Sequence, residues 1–255
     1  MEIGRLLTAM ITPFVENGDI NYDMAAKLSK AIIDSGSDGL VIGGTTGEAP
    51  TINDQEKLKL FSVVKESIGS EHALIAGTTN NNTKESVKLS KLAEAAEVDG
   101  LLLTVPSYNK PTQDGLYQHF RSISEEVSIP CILYNVPSRT SLNMTDETTI
   151  KLSDLKNIVG IKEASSDLDQ ITRIISNTSD DFKVWSGNDN ETLYILAAGG
   201  YGIVSVAGHI VSSQIKELIG HILEGNIEVA GKEHQRLLEF FNIIFIVTNP
   251  IPIRY

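Results

Sequence analysis

The chain has 255 residues, of which 41% are hydrophobic and 21% charged, with a formal net charge of -12 at pH 7. That composition supports a sizeable globular core, and its acidic balance argues against nucleic acid or an anionic membrane surface as a partner. A small anionic substrate is not excluded, because a site can be locally positive.

Met1-Glu2-Ile3-Gly4-Arg5 lacks the basic region and apolar core of a secretory signal. Phe240 to Val247, the longest apolar candidate, is too short for a membrane span. The single cysteine, Cys131, lies in an apolar run and reads as a core residue rather than a reactive thiol. A cytoplasmic setting is expected.

In chain order, Leu6 to Ile11 is a short apolar strand stopped by Thr12-Pro13. Tyr22 to Ser35 has helical spacing through Met24, Leu28 and Ile32. Strand 38–43 runs into Gly44-Thr45-Thr46-Gly47-Glu48, and Asn53 and Asp54 are N-cap candidates for a helix to Ser67. Strand 73–77, helix 83–97, strand 99–105, helix 113–127 and strand 130–135 follow. A short helix over 146–152 leads into a strand ending on Lys162. Helix 167–178, strand 183–186, helix 190–198, strand 201–206 and helix 212–224 complete the series. Apolar strands alternating with helices require a parallel sheet covered on both faces. Eight such units in this length predict an α/β fold, a closed (β/α)8 barrel over residues 1–225. Residues 226–255 begin a C-terminal helical extension.

The glycine-rich and polar signals follow strands, which in such a barrel is the catalytic face. The Gly43–Glu48 turn exposes N–H groups and hydroxyls suited to a carboxylate or phosphate, or is simply a turn; it matches neither a Walker motif nor GxGxxG. Lys162 either snorkels to water or is held desolvated as a neutral nucleophile. Tyr108 and Tyr134 are packing residues or a proton relay. Arg139, in a Pro-Ser-Arg turn, is solvated or is a fork for a carboxylate. Ser186-Gly187-Asn188-Asp189 and Gly199-Gly200-Tyr201-Gly202 permit close backbone approach. His209 reads as structural, and no His/Cys/carboxylate spacing points to a metal.

GTTGE, SYNKPTQDGLYQHF, YNVPSRT, GIKEAS and SGND, in this order, resemble the dihydrodipicolinate synthases, of the class I pyruvate-dependent aldolase superfamily. The resemblance runs from about Leu7 to Asn249-Pro250-Ile251-Pro252. It implies that Lys162 forms a Schiff base with pyruvate, and that the resulting enamine adds to aspartate semialdehyde. Tyr134, Thr45 and Tyr108 are implied as the proton relay. Thr45 and Thr46 are implied to hold the pyruvate carboxylate, Gly187 and Val204 to line its pocket, and Arg139 to receive the semialdehyde carboxylate. A desolvated Arg139 contact of this kind is worth on the order of 2–5 kcal/mol. No cofactor or metal is implied.

The resemblance also implies a homodimer or a homotetramer built as a dimer of dimers, with Tyr108 reaching into the neighbouring site. Ser107 replaces a second tyrosine usual in the family. Asn81 and Glu85 match part of the family's lysine-binding cleft, whereas Ala49, Pro50, Asp54 and Lys57 do not resemble the inhibited pattern, so weak or absent lysine inhibition is expected. Family members continue past NPIP into further helices, while this chain stops at Tyr255. A helix carrying Phe240, Phe241 and Ile243 to Val247 would be apolar nearly all round, and should need a subunit contact or dissolve poorly. The alternatives are a 2-keto-3-deoxy sugar-acid aldolase, against which Arg139 argues, and a catalytically impaired keto-acid-binding barrel.

Overall fold

A computed structural model describes residues 3–254. The strands are β1 Leu6–Ala9, β2 Gly39–Ile42, β3 Ala73–Gly77, β4 Gly100–Thr104, β5 Cys131–Asn135, β6 Ile158–Glu163, β7 Lys183–Ser186 and β8 Gly202–Ser205. All pair in parallel and in chain order, and β8 closes onto β1, so the fold is a (β/α)8 barrel. The helices are α1 Tyr22–Asp34, α2 Asp54–Ile68, α3 Thr83–Ala95, α4 Gln113–Ser124, α5 Pro137–Thr140, α6 Asp146–Ser153, α7 Leu168–Asn177, α8 Thr192–Ala197, α9 Gly208–Leu223, α10 Ile227–Ile243 and α11 Ile251–Arg254.

Side chains alternate across each strand, so one set fills the lumen and the other meets the helices. Leu7, Val41, Ile75, Leu102, Ile132, Trp185 and Val204 form the luminal cluster, together with Tyr134. Leu40, Leu74, Leu133 and Ile161 belong to the outer cluster, with Phe61 and Phe120 of the helices. Both faces are buried, which is why the strands read as continuous apolar runs.

Local capping agrees with the sequence. The Asn53 side chain accepts from the Glu56 amide at 3.0 Å, and the Glu56 carboxylate accepts from the Asn53 amide at 2.8 Å. This reciprocal box starts α2. The Pro-Ser-Arg segment, expected as a turn, is the single-turn helix α5, with Pro137 at its first position.

The apolar run near the C-terminus is not one helix. α10 ends at Ile243 and turns follow. Phe241 and Ile244 are buried against Ile215, Leu218 and Ile219 of α9, whereas Ile243, Phe245, Ile246 and Val247 are exposed. Asn242 stays within α10, and the helix ends one residue later at Ile243. No helix among the described residues is long and apolar enough to cross a membrane.

His119 of α4 is buried, and its Nδ1 lies 2.8 Å from the Thr83 hydroxyl. Its Nε2 has no hydrogen-bond partner among the described residues. Burial holds the imidazole at about 4, against an ordinary 6.5. The unfolded chain therefore takes up a proton that the folded chain refuses. Stability from this group is complete above the ordinary value and declines as pH falls from there toward 4. The full loss is on the order of 3 kcal/mol. Guanidinium titrations at pH 7 and pH 4.5 should show this decline, and it should flatten in His119→Phe; an unchanged pH slope in the variant would assign the acid sensitivity elsewhere.

Candidate active site

The β5 and β6 strands pair so that Tyr134 lies opposite Lys162. Both project into the lumen, since their neighbours Leu133 and Ile161 belong to the outer cluster. The Lys162 ammonium nitrogen sits 4.4 Å from the Tyr134 ring centroid. Lys162 is 4% exposed and Tyr134 5%. Two residues earlier on β6, Gly160 leaves the room that Trp185 occupies; a Cβ there would stand 2.7 Å from the indole.

Lys162 is lowered to about 8, chiefly by burial; the Asp189 carboxylate opposes the fall and the Arg139 charge adds to it. Asp189 is itself buried at the end of β7. Its carboxylate accepts from the Ser205 hydroxyl and from the Val206 and Ala207 amides, the latter two at 3.1 and 3.3 Å. Burial raises its pKa, and these bonds and Lys162 oppose the rise. The site thus holds one desolvated amine beside one anchored carboxyl. An amine this close to neutrality can add to a ketone without a metal.

Burial raises the Tyr134 phenol to about 12, against the Arg139 charge and the nearby Thr45 side chain, which both oppose the rise. Thr45 stands in the turn after β2, where Gly43 takes a φ of 67°, a value that suits glycine. A cavity of about 510 Å³ opens over this turn, with Gly44, Thr45, Val136, Arg139, Thr140 and Asn249 in its wall. Lys162 and Tyr134 do not reach that wall; Thr45, which does, connects it to the phenol.

Thr46 is buried, and its hydroxyl accepts from Asn249 Nδ2 at 2.9 Å. Arg139 on α5 is exposed, and its Nη2 donates to the Asn249 carbonyl at 3.0 Å. Arg254 ties the same segment to Glu48 at 2.7 Å. Gly187 donates its amide to the Glu163 carbonyl at 2.7 Å, and a Cβ there would stand 2.6 Å from that of Ala164. Val204 lies on β8, fully buried in the luminal cluster.

Of the expected residues, the fold gathers Lys162, Tyr134, Thr45, Thr46, Arg139, Gly187 and Val204 at one end of the barrel. Tyr108 is the exception within one chain. It is 89% exposed, on a loop where its φ is 66°. His209 has backbone partners: Nδ1 donates to the Val206 carbonyl at 2.8 Å and Nε2 accepts from the Ile11 amide at 3.1 Å. This staples β8 to the end of β1 and suits a structural role. Cys131 is buried, its thiol pushed up to about 12.

Three residues escaped the sequence reading. Asp189 belongs to the SGND motif, in which Gly187 carries the expected role. Glu163 follows Lys162, and nothing in its spacing marks it as buried. Asn249 sits in the NPIP segment, far along the chain from Thr46 and Arg139. Among the described residues, no group of three or more His, Cys, Asp or Glu side chains could hold a metal.

Comparison with known proteins agrees with this geometry. The profile of the "Dihydrodipicolinate synthetase family" matches residues 2–255. A 4-hydroxy-tetrahydrodipicolinate synthase of Dehalococcoides mccartyi is 53% identical over 254 residues, covering 100% of this chain and 86% of the relative. That of Moorella thermoacetica is 47% identical, covering 100% of this chain and 87% of the relative. A crystal structure of the dihydrodipicolinate synthase of Cyanidioschyzon merolae with lysine bound superposes with a TM-score of 0.96 at 42% identity, covering 98% of this chain and 86% of that one. The sequence motifs, the closed barrel and the desolvated lysine at its mouth therefore have one common explanation: this chain belongs to the dihydrodipicolinate synthetase family.

Proposed function

We propose that the chain is a Schiff-base lyase that condenses pyruvate with L-aspartate 4-semialdehyde to 4-hydroxy-tetrahydrodipicolinate, the entry to diaminopimelate and lysine biosynthesis. The observation that carries the reading is the desolvated Lys162 amine facing Tyr134 in the lumen. Neutral Lys162 adds to the C2 carbonyl of pyruvate, and loss of water leaves an iminium. The iminium draws electrons from the methyl group, which gives up a proton and becomes an enamine. The enamine carbon bonds to the aldehyde carbon, whose oxygen is protonated. The substrate's own amine then displaces Lys162 as the ring closes.

Tyr134, protonated throughout the neutral range, donates to the departing hydroxyl, and Thr45 passes protons between it and the cavity. The hydroxyls and amides of Thr45 and Thr46 hold the pyruvate carboxylate. Gly187 and Val204 shape the pocket. One Arg139 N–H is committed to Asn249, and the other donors of its fork remain for the semialdehyde carboxylate. Tyr108, exposed on its loop, joins the relay of a second copy in a homodimer or a dimer of dimers. The cytoplasm is the compartment that this chemistry and a reduced Cys131 suit.

Borohydride reduction in the presence of pyruvate, followed by peptide mass analysis, should place a pyruvyl adduct on Lys162. Absence of an adduct on folded protein would defeat the reading. Arg139→Ala should trap pyruvate normally yet lose about 10–100-fold in kcat/KM for the semialdehyde. This is smaller than the figure for a desolvated arginine, because Arg139 is exposed. Equal loss in pyruvate trapping would move Arg139 to the other substrate.

A further inference from the structure

Strand alternation turns Glu163 away from the lumen, into the layer between barrel and helices. Its carboxylate is fully buried. Asn135 Nδ2 donates to both oxygens, at 3.1 and 3.2 Å, Gln170 Nε2 to one at 3.2 Å, and the Ser165 amide to the other at 2.8 Å. Every one of these partners is a donor, so the cage complements an ionised carboxylate. Asn143 closes the ring, accepting from Asn135 and donating to Gln170, each at 2.8 Å.

This cage occupies the rung next to that of the reactive pair. Tyr134 lies opposite Lys162, and Asn135 lies opposite Glu163. One pair faces the lumen and the other the helices. A lateral slip between Asn135 and Glu163 would carry Tyr134 away from Lys162. The Glu163 carbonyl also receives the Gly187 amide. Burial raises the Glu163 carboxyl to about 7 against the pull of its donors. An apolar pair could hold two strands together without that desolvation cost.

We propose that Glu163 is a positioning residue for the reaction: held by Asn135, Gln170 and Ser165, its buried carboxylate sets the spacing of Lys162 from Tyr134 without touching substrate. This rests on the reading of Lys162 as the reactive amine. Glu163→Gln keeps the shape but turns an NH2 toward donors. Its trappable sites should be counted by borohydride and pyruvate, and turnover expressed per trapped site. That turnover should fall about 10–100-fold, with the pyruvate KM changed less than about threefold. A purely structural role would instead lower the number of trappable sites and the thermal midpoint while each trapped site turned over at the wild-type rate, and that result overturns the proposal. If Glu163→Gln does not fold, Gln170→Leu, which removes one donor, should lower turnover per site about 3–10-fold; wild-type turnover per site there overturns the proposal. A wild-type protein that traps no pyruvate on Lys162 overturns the amine assignment, and this proposal with it.

Discussion

Lys162→Ala is expected to abolish pyruvate trapping and to lower kcat/KM by about 10³-fold or more, as removal of a covalent nucleophile does. The fold should survive, because β6 is held in register by main-chain pairing, which alanine keeps, and not by the lysine side chain. The same residue dictates a pH profile. Schiff-base formation needs the neutral amine, and burial brings Lys162 down to about 8 from 10.5. At pH 8 roughly half of such an amine is neutral, against roughly 0.3% for an ordinary lysine. The rate of adduct formation at low pyruvate should therefore rise with pH and level off above about 8. A rate still climbing at pH 10 would mean that the lysine is not desolvated, and retained trapping in Lys162→Ala would place the adduct on another residue.

Tyr134→Phe should lower turnover by about 10²–10⁴-fold, the range for loss of a positioned proton donor. The ring remains beside Lys162 and the core stays packed, so the change isolates the hydroxyl. The stability cost should be only about 1 kcal/mol, the usual net worth of one polar contact of a buried hydroxyl. Because burial raises the phenol to about 12, no ionisation of Tyr134 should be seen in the rate profile below pH 11 or so. Turnover within threefold of wild type in Tyr134→Phe would remove the hydroxyl from the reaction.

The two effects differ in kind, and that difference separates the roles. Loss of the amine removes the adduct itself, whereas loss of the phenol leaves an amine that still binds pyruvate but transfers protons slowly. Trapping and turnover, measured on the same samples, therefore distinguish them.

Much of the barrel could be read from individual runs. Ala73–Gly77 and Gly100–Thr104 are apolar because their side chains are buried on both faces, a pattern that survives in one dimension. The Asn53 cap was legible for the same reason: its partner, Glu56, is three residues away. The short helix α5 reads as a turn in the sequence, since four residues are too few for periodicity to register. The C-terminal run reads as one helix, whereas α10 stops at Ile243, because counting apolar residues does not show where a helix ends.

The order of strands and helices and the placement of polar motifs after strands were determined by the sequence itself, because these are properties of spacing along the chain; the candidacy of Lys162, Tyr134, Thr45 and Arg139 came from the resemblance of their motifs to the family, since spacing alone left each of them open. Only the tertiary structure decided which groups are charged and which touch. Glu163 meets Asn135 from 28 residues away, and Asn249 meets Arg139 and Thr46 across 110 and 203 residues. The proton affinity of Lys162 likewise depends on the loss of water around it and on its distance from Asp189 and Arg139. Desolvation and Coulomb attraction act through space, and the closed barrel is what brings those distances about.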